Sequence, residues 1–315
     1  MWIKLEKTFP KVLNAAPHSV RDHTGRIITG SSTIKKVILR KFQQRMRRRP
    51  ALPAIKEIMK LKEENVRRIL KTCRNVKTPP WTENELKIVL KSLKNQKCRD
   101  PAGLINEIFK PGVIGLDLQH SLLELFNKIK KHMEMPDFMQ CSNIVQVYKN
   151  GGKDKLDVES YRGLFIVSVF KSILQKLLLK DKIGKIDAQM TDIQVGGRKG
   201  KNIRDQLFVV NGIIQDVLSS KTKQPIDILI SDFKTCFDGL SLGLTCSDLP
   251  IRDDKLALLF DINRTNKVAV KTPLGLTDRV IMRELVLQGD SWGLILASNS
   301  IDMIGKICLE KQQNI

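Results

Sequence analysis

Residues 225–233, PIDILISDF, bring an aspartate to the end of a short apolar run. Ile228, Leu229 and Ile230 follow a proline, and the run is short, which favours a strand over a buried helix. We therefore predict a strand that carries Asp232 at its C-terminal end. A carboxylate in apolar surroundings is costly unless a cation meets it. Asp232 is thus a candidate ligand of a cation; the alternative is a surface strand end, with Asp232 in water or capping the next turn.

The charge balance indicates a polyanionic partner. The 315 residues include 55 Lys and Arg against 33 Asp and Glu, a net charge of +22. Such an excess is typical of proteins that bind nucleic acid or an anionic membrane surface. No apolar run approaches the ~20 residues of a membrane span, and the N-terminus lacks the apolar core of a secretory signal. The six cysteines form no CxxC pair, which favours reduced thiols in an intracellular protein of the cytoplasm or nucleus.

The first 77 residues are rich in lysine and arginine. Residues 35–50, KKVILRKFQQRMRRRP, have apolar residues at helical spacing and predict a basic amphipathic helix ended by Pro50. A second charged helix is expected over 56–74. The arginine cluster is a candidate nucleic-acid contact, and a solvated helical face is the alternative. Its members are Arg45, Arg47, Arg48 and Arg49.

A second region is expected to begin near residue 78. Two prolines precede Thr82, and Thr82 with Glu85 forms a capping-box pattern before an apolar stripe. Downstream the patterns predict a mixed α/β arrangement, divided into segments 78–224 and 225–315. The predicted helices cover 118–136, 165–183, 201–220 and 253–263, and the predicted strands cover 142–154, where a strand enters a Gly-Gly turn, and 267–273.

Two glycine-containing stretches carry cations suited to binding anions. Lys149, Lys153 and Arg162 flank a turn in VQVYKNGGKDKLDVESYRGL, and the planar fork of an arginine fits phosphate oxygens. In QVGGRKGKNIRDQ, glycines precede a predicted helix, whose N-terminus attracts anions. The cations there are Arg198, Lys199 and Lys201, without the spacing of a Walker A loop. An ordinary basic loop is the alternative for the first stretch.

Taken in order, these stretches resemble the polymerase domain of reverse transcriptases encoded by non-LTR (LINE-type) retrotransposons, over roughly residues 78–306. KSLKNQKCRDPAGLINEIFK is similar to the entry motif of the family, and VYKNGGKDKLDVESYRGL to its fingers hairpin. QVGGRKGKNIRDQ is similar to its Q-x-G-x-R-x-G segment, SDFKTCFD to motif A and LVLQGDSWG to motif B. The resemblance implies an α+β fold made of right-hand polymerase fingers and a partial palm, with an antiparallel sheet packed against helices and preceded by the basic helical region.

The resemblance also implies roles for individual residues. Asp232 would bind two Mg²⁺ ions, with the main-chain carbonyl of Phe233 beside it. Arg162, with Lys149 or Lys153, would bind the triphosphate of an incoming deoxynucleotide. Phe237 would be the steric gate against a 2′-hydroxyl, and Gln288 and Gly289 would line the template–nucleotide pocket. The implied partners are an RNA template, a DNA primer and deoxynucleoside triphosphates.

The match departs from the family in several places. No x-Asp-Asp sequence of motif C follows LQGD, and no thumb follows either. Asp253 and Asp254 are expected to start a helix, and Asp238 to cap one. Gly163 stands where the family usually has proline, and Cys236 where it usually has alanine. We therefore expect a truncated, inactive polymerase domain. The alternatives are a non-catalytic basic nucleic-acid-binding remnant and an unstable product without function.

Overall fold

The computed structural model describes residues 17–22, 24–46, 53–149, 151–220, 227–233 and 236–312. The helices in these ranges are α1 (Ser31–Arg45), α2 (Pro53–Asn75), α3 (Glu83–Lys91), α4 (Leu116–His132), α5 (Val169–Leu179), α6 (Ile183–Gln189), α7 (Ile203–Ser219), α8 (Cys236–Gly239), α9 (Leu242–Ser247), α10 (Asp254–Arg264) and α11 (Gly293–Gln312). The strands are β1 (Val20–Arg21), β2 (Ile27–Ile28), β3 (Cys141–Tyr148), β4 (Tyr161–Val167), β5 (Thr265–Thr272), β6 (Gly275–Leu276) and β7 (Val280–Arg283).

The main sheet has the strand order β4–β3–β5–β6, and β7 also pairs with β5. β3 and β4 are antiparallel, with Ile144 opposite Phe165. β3 and β5 are parallel, with Ile144 opposite Val270. The sheet is therefore mixed: the predicted α+β class is confirmed, whereas the predicted antiparallel sheet is wrong for the parallel pair of β3 and β5. The chain passes through α5 to α10 between β3 and β5, which gives it the length that a parallel connection needs.

Several locally coded elements are confirmed. Thr82 accepts a hydrogen bond from the Glu85 main-chain N–H while the Glu85 side chain accepts from that of Thr82, which completes the capping box of α3. Asp253 is the N-cap of α10 and accepts from the Lys255 N–H. The predicted helices over 118–136 and 201–220 and the predicted strand over 267–273 are also present within a few residues. α1 ends at Arg45, ahead of the predicted stop at Pro50.

Two apolar cores hold the elements together. The larger lies among helices and includes Leu90, Phe126 and Leu258. Val66 and Leu70 of α2 belong to the same core, although the predicted boundary near residue 78 separates α2 from the rest. The smaller core lies between α1 and the main sheet, where Ile34, Ile38 and Phe42 pack against Ile144 and Phe165. The division into 1–77, 78–224 and 225–315 stays a prediction.

The predicted strand over 225–233 is wrong for its described part. Residues 227–233 have no strand structure and pair with none of the strands in the described ranges. Leu229 is 94% exposed and Ile230 is 88% exposed. A strand needs a hydrogen-bonding partner. The strands β3, β4 and β5 pair with one another and not with residues 227–233. Asp232 therefore does not end a central strand.

The predicted helix over 165–183 is partly wrong. Residues up to Val167 belong to β4, and α5 begins at Val169. The apolar run is therefore divided between β4, where Phe165 lies opposite Ile144 of β3, and α5. α7 is a helix as predicted, but none of its residues, all within the described part of the chain, is buried. In the residues that the structure describes, no helix has both the length and the apolar character required for crossing a membrane.

Candidate functional site

Many of the residues singled out in the sequence lie around one cavity of about 1010 Å³, which we call the hairpin cavity. Its cationic side chains are Arg45, Lys149, Lys153 and Arg162. Asp232, Phe233, Phe237 and Gln288 also line it. Residues from four separate stretches of the sequence therefore meet at one place.

The β3–β4 hairpin places three of the cations. β3 ends at Tyr148 opposite Tyr161, the first residue of β4. Gly151 and Gly152 have φ angles of +79° and +72°, which glycine adopts without strain. The Lys149 N–H donates to the Ser160 carbonyl at 2.9 Å, and its Nζ donates to the Glu159 carbonyl at 2.7 Å. These contacts hold the lysine at the rim of the cavity.

Arg45 joins α1 to the hairpin and to α8. Its guanidinium donates to the Tyr161 carbonyl at 3.0 Å and to the Asp238 carboxylate at 3.3 Å. Both side chains of the ion pair are largely buried, at 10% and 15% exposure. Asp238 lies within α8 and pairs with Arg45, so its predicted role as a helix-start cap is wrong. The predicted contacts of Arg47, Arg48 and Arg49 lie outside the described residues.

The cations of the hairpin cavity lie close enough to disfavour one another's charge. The pKa of Lys149 is lowered by burial first, then by the nearby charges of Arg45 and Lys153, and also by Arg162. The pKa of Asp238 is raised by burial, although Arg45 opposes this effect. A polyanion entering the cavity would relieve the repulsion among the cations. The four cations therefore offer contacts to an anion, although five carboxylates line the same cavity: Asp154, Asp157, Glu159, Asp232 and Asp238.

The Gln288–Gly289 turn is fixed to the edge of β4. The Gln288 carbonyl accepts from the Phe165 N–H at 2.8 Å. Gly289 has a φ of +111°, and an added Cβ would lie 3.0 Å from the Phe165 carbonyl oxygen. Next to it, the Asp290 carboxylate accepts from Gln175 Nε2 at 3.0 Å. The close approach to β4 explains why a glycine is required beside Gln288.

The carboxylates around the cavity do not fit a two-magnesium centre. Asp232 and Asp238 both line the cavity together with Cys236, and after burial itself the charges of these two aspartates raise the pKa of the Cys236 thiol. Asp238 is already paired with Arg45. In the ranges that the structure covers, no group of three or more His, Cys, Asp or Glu side chains could hold a metal ion. Hard cations such as Mg²⁺ need several oxygen ligands at once.

The other acidic pair lies apart from the hairpin cavity. Asp253 forms an ion pair with Lys182 at 2.7 Å. Asp254 is buried, and its carboxylate accepts from the Thr78 hydroxyl at 2.6 Å. Neither residue lines the hairpin cavity. Asp253 caps the start of α10, as the sequence predicts, and Asp254 connects that start to Thr78.

In the second glycine-containing stretch, the arginine binds groups of its own loop and of the preceding helix. Arg198 Nε donates to the Asp187 carboxylate at 2.8 Å, and its other nitrogens donate to the carbonyls of Asp187, Thr191 and Gln194. Lys201 pairs with Asp192 at 2.8 Å. The Arg198 guanidinium therefore stabilises the loop, whereas Lys199 is exposed. None of the three residues lines the hairpin cavity.

Some wall residues of the hairpin cavity were missed by sequence reasoning. Asp154, Asp157 and Glu159 add negative charge to the same wall as Lys149. Asp157 caps the turn before β4, since its carboxylate accepts from the Glu159 N–H. Because these acidic residues lie within the predicted hairpin, the local sequence could have indicated negative charge in the cavity wall. The contact between Arg45 and Asp238 spans 193 positions and has no local signal.

Comparisons with known proteins link the chain to retrotransposons. No family model matches the sequence. Over 172 residues, 54% of the chain, it is 23% identical to a 115 kDa protein in the type-1 retrotransposable element R1DM of Drosophila melanogaster. The match covers 16% of that protein's length, so the chain corresponds to a small part of it. The chain is thus similar to a retrotransposon protein over about half of its length.

Proposed function

We propose that the chain is part of the reverse transcriptase of a non-LTR retrotransposon and that the hairpin cavity binds a nucleoside triphosphate. The observation that carries the proposal is the meeting of Lys149, Arg162, Phe237 and Gln288 in one cavity. These residues come from separate sequence stretches that resemble successive motifs of that family. The similarity to a retrotransposon protein supports the same assignment.

Five wall residues of the hairpin cavity have a proposed role in binding the nucleotide. Arg162 is exposed to the cavity and its fork binds phosphate oxygens, with Lys149 and Lys153 neutralising the remaining charge. Phe237 packs against the sugar and excludes a 2′-hydroxyl. Gln288, held in place by its main-chain bond to Phe165, lines the side where the base lies. The cavity of about 1010 Å³ has room for a ligand of this size.

In the longer parent protein, the proposed reaction is RNA-templated extension of a DNA primer. Asp232 is the proposed ligand of magnesium, which this polypeptide holds at most weakly, because no group of three or more possible ligands among the described residues could hold a metal ion. We therefore propose that the 315-residue polypeptide binds its nucleotide but does not synthesise DNA. Its other partners in this proposal are the RNA template and the DNA primer.

Removing two cavity cations should weaken nucleotide binding. In the variant Lys149→Gln/Arg162→Gln, we expect the affinity for deoxythymidine triphosphate to fall by about 100-fold or more, since each of the two hydrogen bonds to a charged group contributes roughly 1.5–3 kcal/mol. Isothermal titration calorimetry measures this directly. The matched control is Lys97→Gln/Arg204→Gln, which removes the same charges at two exposed positions outside the cavity. Equal losses in both variants would contradict a role for the hairpin cavity.

A primer-extension assay separates the proposal from its alternative. The proposal expects no extension on an RNA template at saturating magnesium and nucleotide, together with triphosphate binding in the hairpin cavity. The alternative is a non-catalytic nucleic-acid-binding protein, favoured by the net charge of +22. That alternative expects polynucleotide binding without any saturable triphosphate site. Extension by the unmodified chain would show that a second carboxylate cooperates with Asp232.

A further inference from the structure

Arg45 connects α8 to the hairpin through a largely buried ion pair. Its guanidinium donates to the Asp238 carboxylate of α8 and to the Tyr161 carbonyl at the start of β4. The same guanidinium lies 5.0 Å from the centre of the Phe42 ring. These contacts come from α1, β4 and α8, so Arg45 joins three elements that are distant in the sequence.

The helix that carries Arg45 is a firm support, because α1 lies tightly against β4. A Cβ added to Gly163 of β4 would be 2.6 Å from Phe42 Cε1. The Phe42 ring therefore packs directly on the backbone of the strand, with no space for a side chain between them. Ile34 and Ile38 of α1 belong to the same apolar core as Phe42. Arg45 thus extends from a helix that is fixed on the hairpin.

α8 depends on other elements for its position. It contains four residues, and a helix of one turn is not stable by itself. Residues 227–233, which precede it, have no regular structure. Phe237 packs against the larger core, and Asp238 pairs with Arg45. Because Phe237 and Asp238 are neighbours in the chain, the position of the Phe237 ring in the hairpin cavity depends on this ion pair.

Among the charges around Asp238, that of Arg45 stabilises the carboxylate most. Burial raises the pKa of Asp238, Arg45 opposes this most strongly, Glu159 adds to it, and Lys149 opposes it more weakly. Without Arg45 the carboxylate would be buried without its main partner, which is costly. It would turn towards water or towards Lys149. Either change moves α8 or occupies a cation that the triphosphate needs.

We propose that Arg45 is a positioning residue of the hairpin cavity: through Asp238 it holds the Phe237 ring where this ring excludes a 2′-hydroxyl. The inference rests on the proposed function, in which Phe237 is the steric gate. A functional side chain has to be held to within about 0.5 Å of its productive position. Arg45 therefore adds a residue of the basic N-terminal region to the selection of the sugar, and it acts through α8.

The test compares two triphosphates that differ only in the 2′-hydroxyl, deoxythymidine triphosphate and ribothymidine triphosphate, by isothermal titration calorimetry. The unmodified chain should bind the deoxynucleotide about tenfold more tightly, since one small group changes binding by roughly 10- to 200-fold. In Arg45→Gln this preference should fall below about threefold, because the ring can yield to the hydroxyl. A general loss of structure would weaken both ligands equally and leave the preference unchanged.

Three further variants complete the test. Arg45→Lys keeps a charge beside Asp238 without the fork that also reaches Tyr161, so it should restore part of the preference. Asp238→Ala should lose as much preference as Arg45→Gln, and the double variant should lose no more, because both changes break the same contact. Asp238→Ala also keeps the test available if Arg45→Gln does not fold. The control Arg40→Gln, at an exposed position of α1 outside the cavity, should keep the full preference.

A second measurement needs no nucleotide. Cys236 lies in α8 next to Phe237 and is partly buried. In Arg45→Gln its thiol should react faster with N-ethylmaleimide, measured by mass spectrometry of its peptide. The exposed Cys98 should react at the same rate in both chains. An unchanged Cys236 rate, an unchanged sugar preference in Arg45→Gln, or an equal loss of preference in Arg40→Gln would overturn the positioning role.

The two proposals can fail separately. If neither triphosphate binds the unmodified chain, the proposed function is rejected, while a faster Cys236 reaction in Arg45→Gln would still support the hold of Arg45 on α8. If deoxythymidine triphosphate binds and the sugar preference does not depend on Arg45, the positioning role alone is rejected.

Discussion

Replacing Asp290 with alanine is expected to lower the free energy of unfolding by about 3–5 kcal/mol, since it breaks a buried charged network by removing one member. Asp290 accepts from Gln175 Nε2 at 3.0 Å and from the Gly293 N–H. Its charge also stabilises the protonated form of Lys171, which is completely buried. Without the carboxylate, Lys171 keeps its hydrogen bond to Asn266 Oδ1 at 2.7 Å but loses its compensating charge.

Urea denaturation followed by circular dichroism measures this loss as a lower midpoint at an unchanged slope. The control is Asp278→Ala, at an exposed position, where the change should stay within about 0.5 kcal/mol. The Asp290 variant should also bind deoxythymidine triphosphate more weakly, because Asp290 adjoins the Gln288–Gly289 turn. A loss below about 1 kcal/mol would match an ordinary surface substitution and contradict the network.

Raising the pH from 8 to 10.5 should stabilise the protein relative to the variant Lys171→Met. Burial lowers the pKa of Lys171 from 10.5 to about 8, and Asp290 only partly opposes this. The folded state therefore disfavours the protonated ammonium group, and Lys171 costs stability below pH 8. That cost is removed as the pH rises towards 10.5, because the unfolded chain holds the proton longer than the folded chain does.

At roughly 1.4 kcal/mol per pKa unit, the gain reaches about 3 kcal/mol. The difference in unfolding free energy between the unmodified chain and Lys171→Met, measured by urea denaturation at several pH values, isolates Lys171 from other titrating groups. We expect the unfolding free energy of the unmodified chain to increase relative to that of Lys171→Met as the pH rises. A difference that is constant from pH 7 to 10 would contradict the lowered pKa.

Local sequence patterns were sufficient for the elements that depend on neighbouring residues. The capping box of Thr82 and Glu85 and the cap at Asp253 need only side chains within one helical turn. The turn at Gly151 and Gly152 follows from backbone freedom at those positions. Such features are coded where they occur, so a single sequence reveals them.

Contacts between distant residues could not be predicted in this way. The parallel pairing of β3 with β5 depends on which strands meet after a long connection. Residues 228–230 have the composition of a strand, yet a strand forms only where a partner is available. The ion pair between Arg45 and Asp238 likewise has no sequence signature. The motifs predicted the kind of residues in the site, whereas the fold decides which of them meet.

Photo-crosslinking of deoxythymidine triphosphate with a photoactivatable base, followed by mass spectrometry of the labelled peptides, locates the bound triphosphate in the chain. We expect labelling of peptides that contain Phe237 or Gln288, competed by unlabelled triphosphate and lost in Lys149→Gln/Arg162→Gln. Labelling confined to peptides outside the hairpin cavity, or labelling that unlabelled triphosphate does not reduce, would contradict a nucleotide site there.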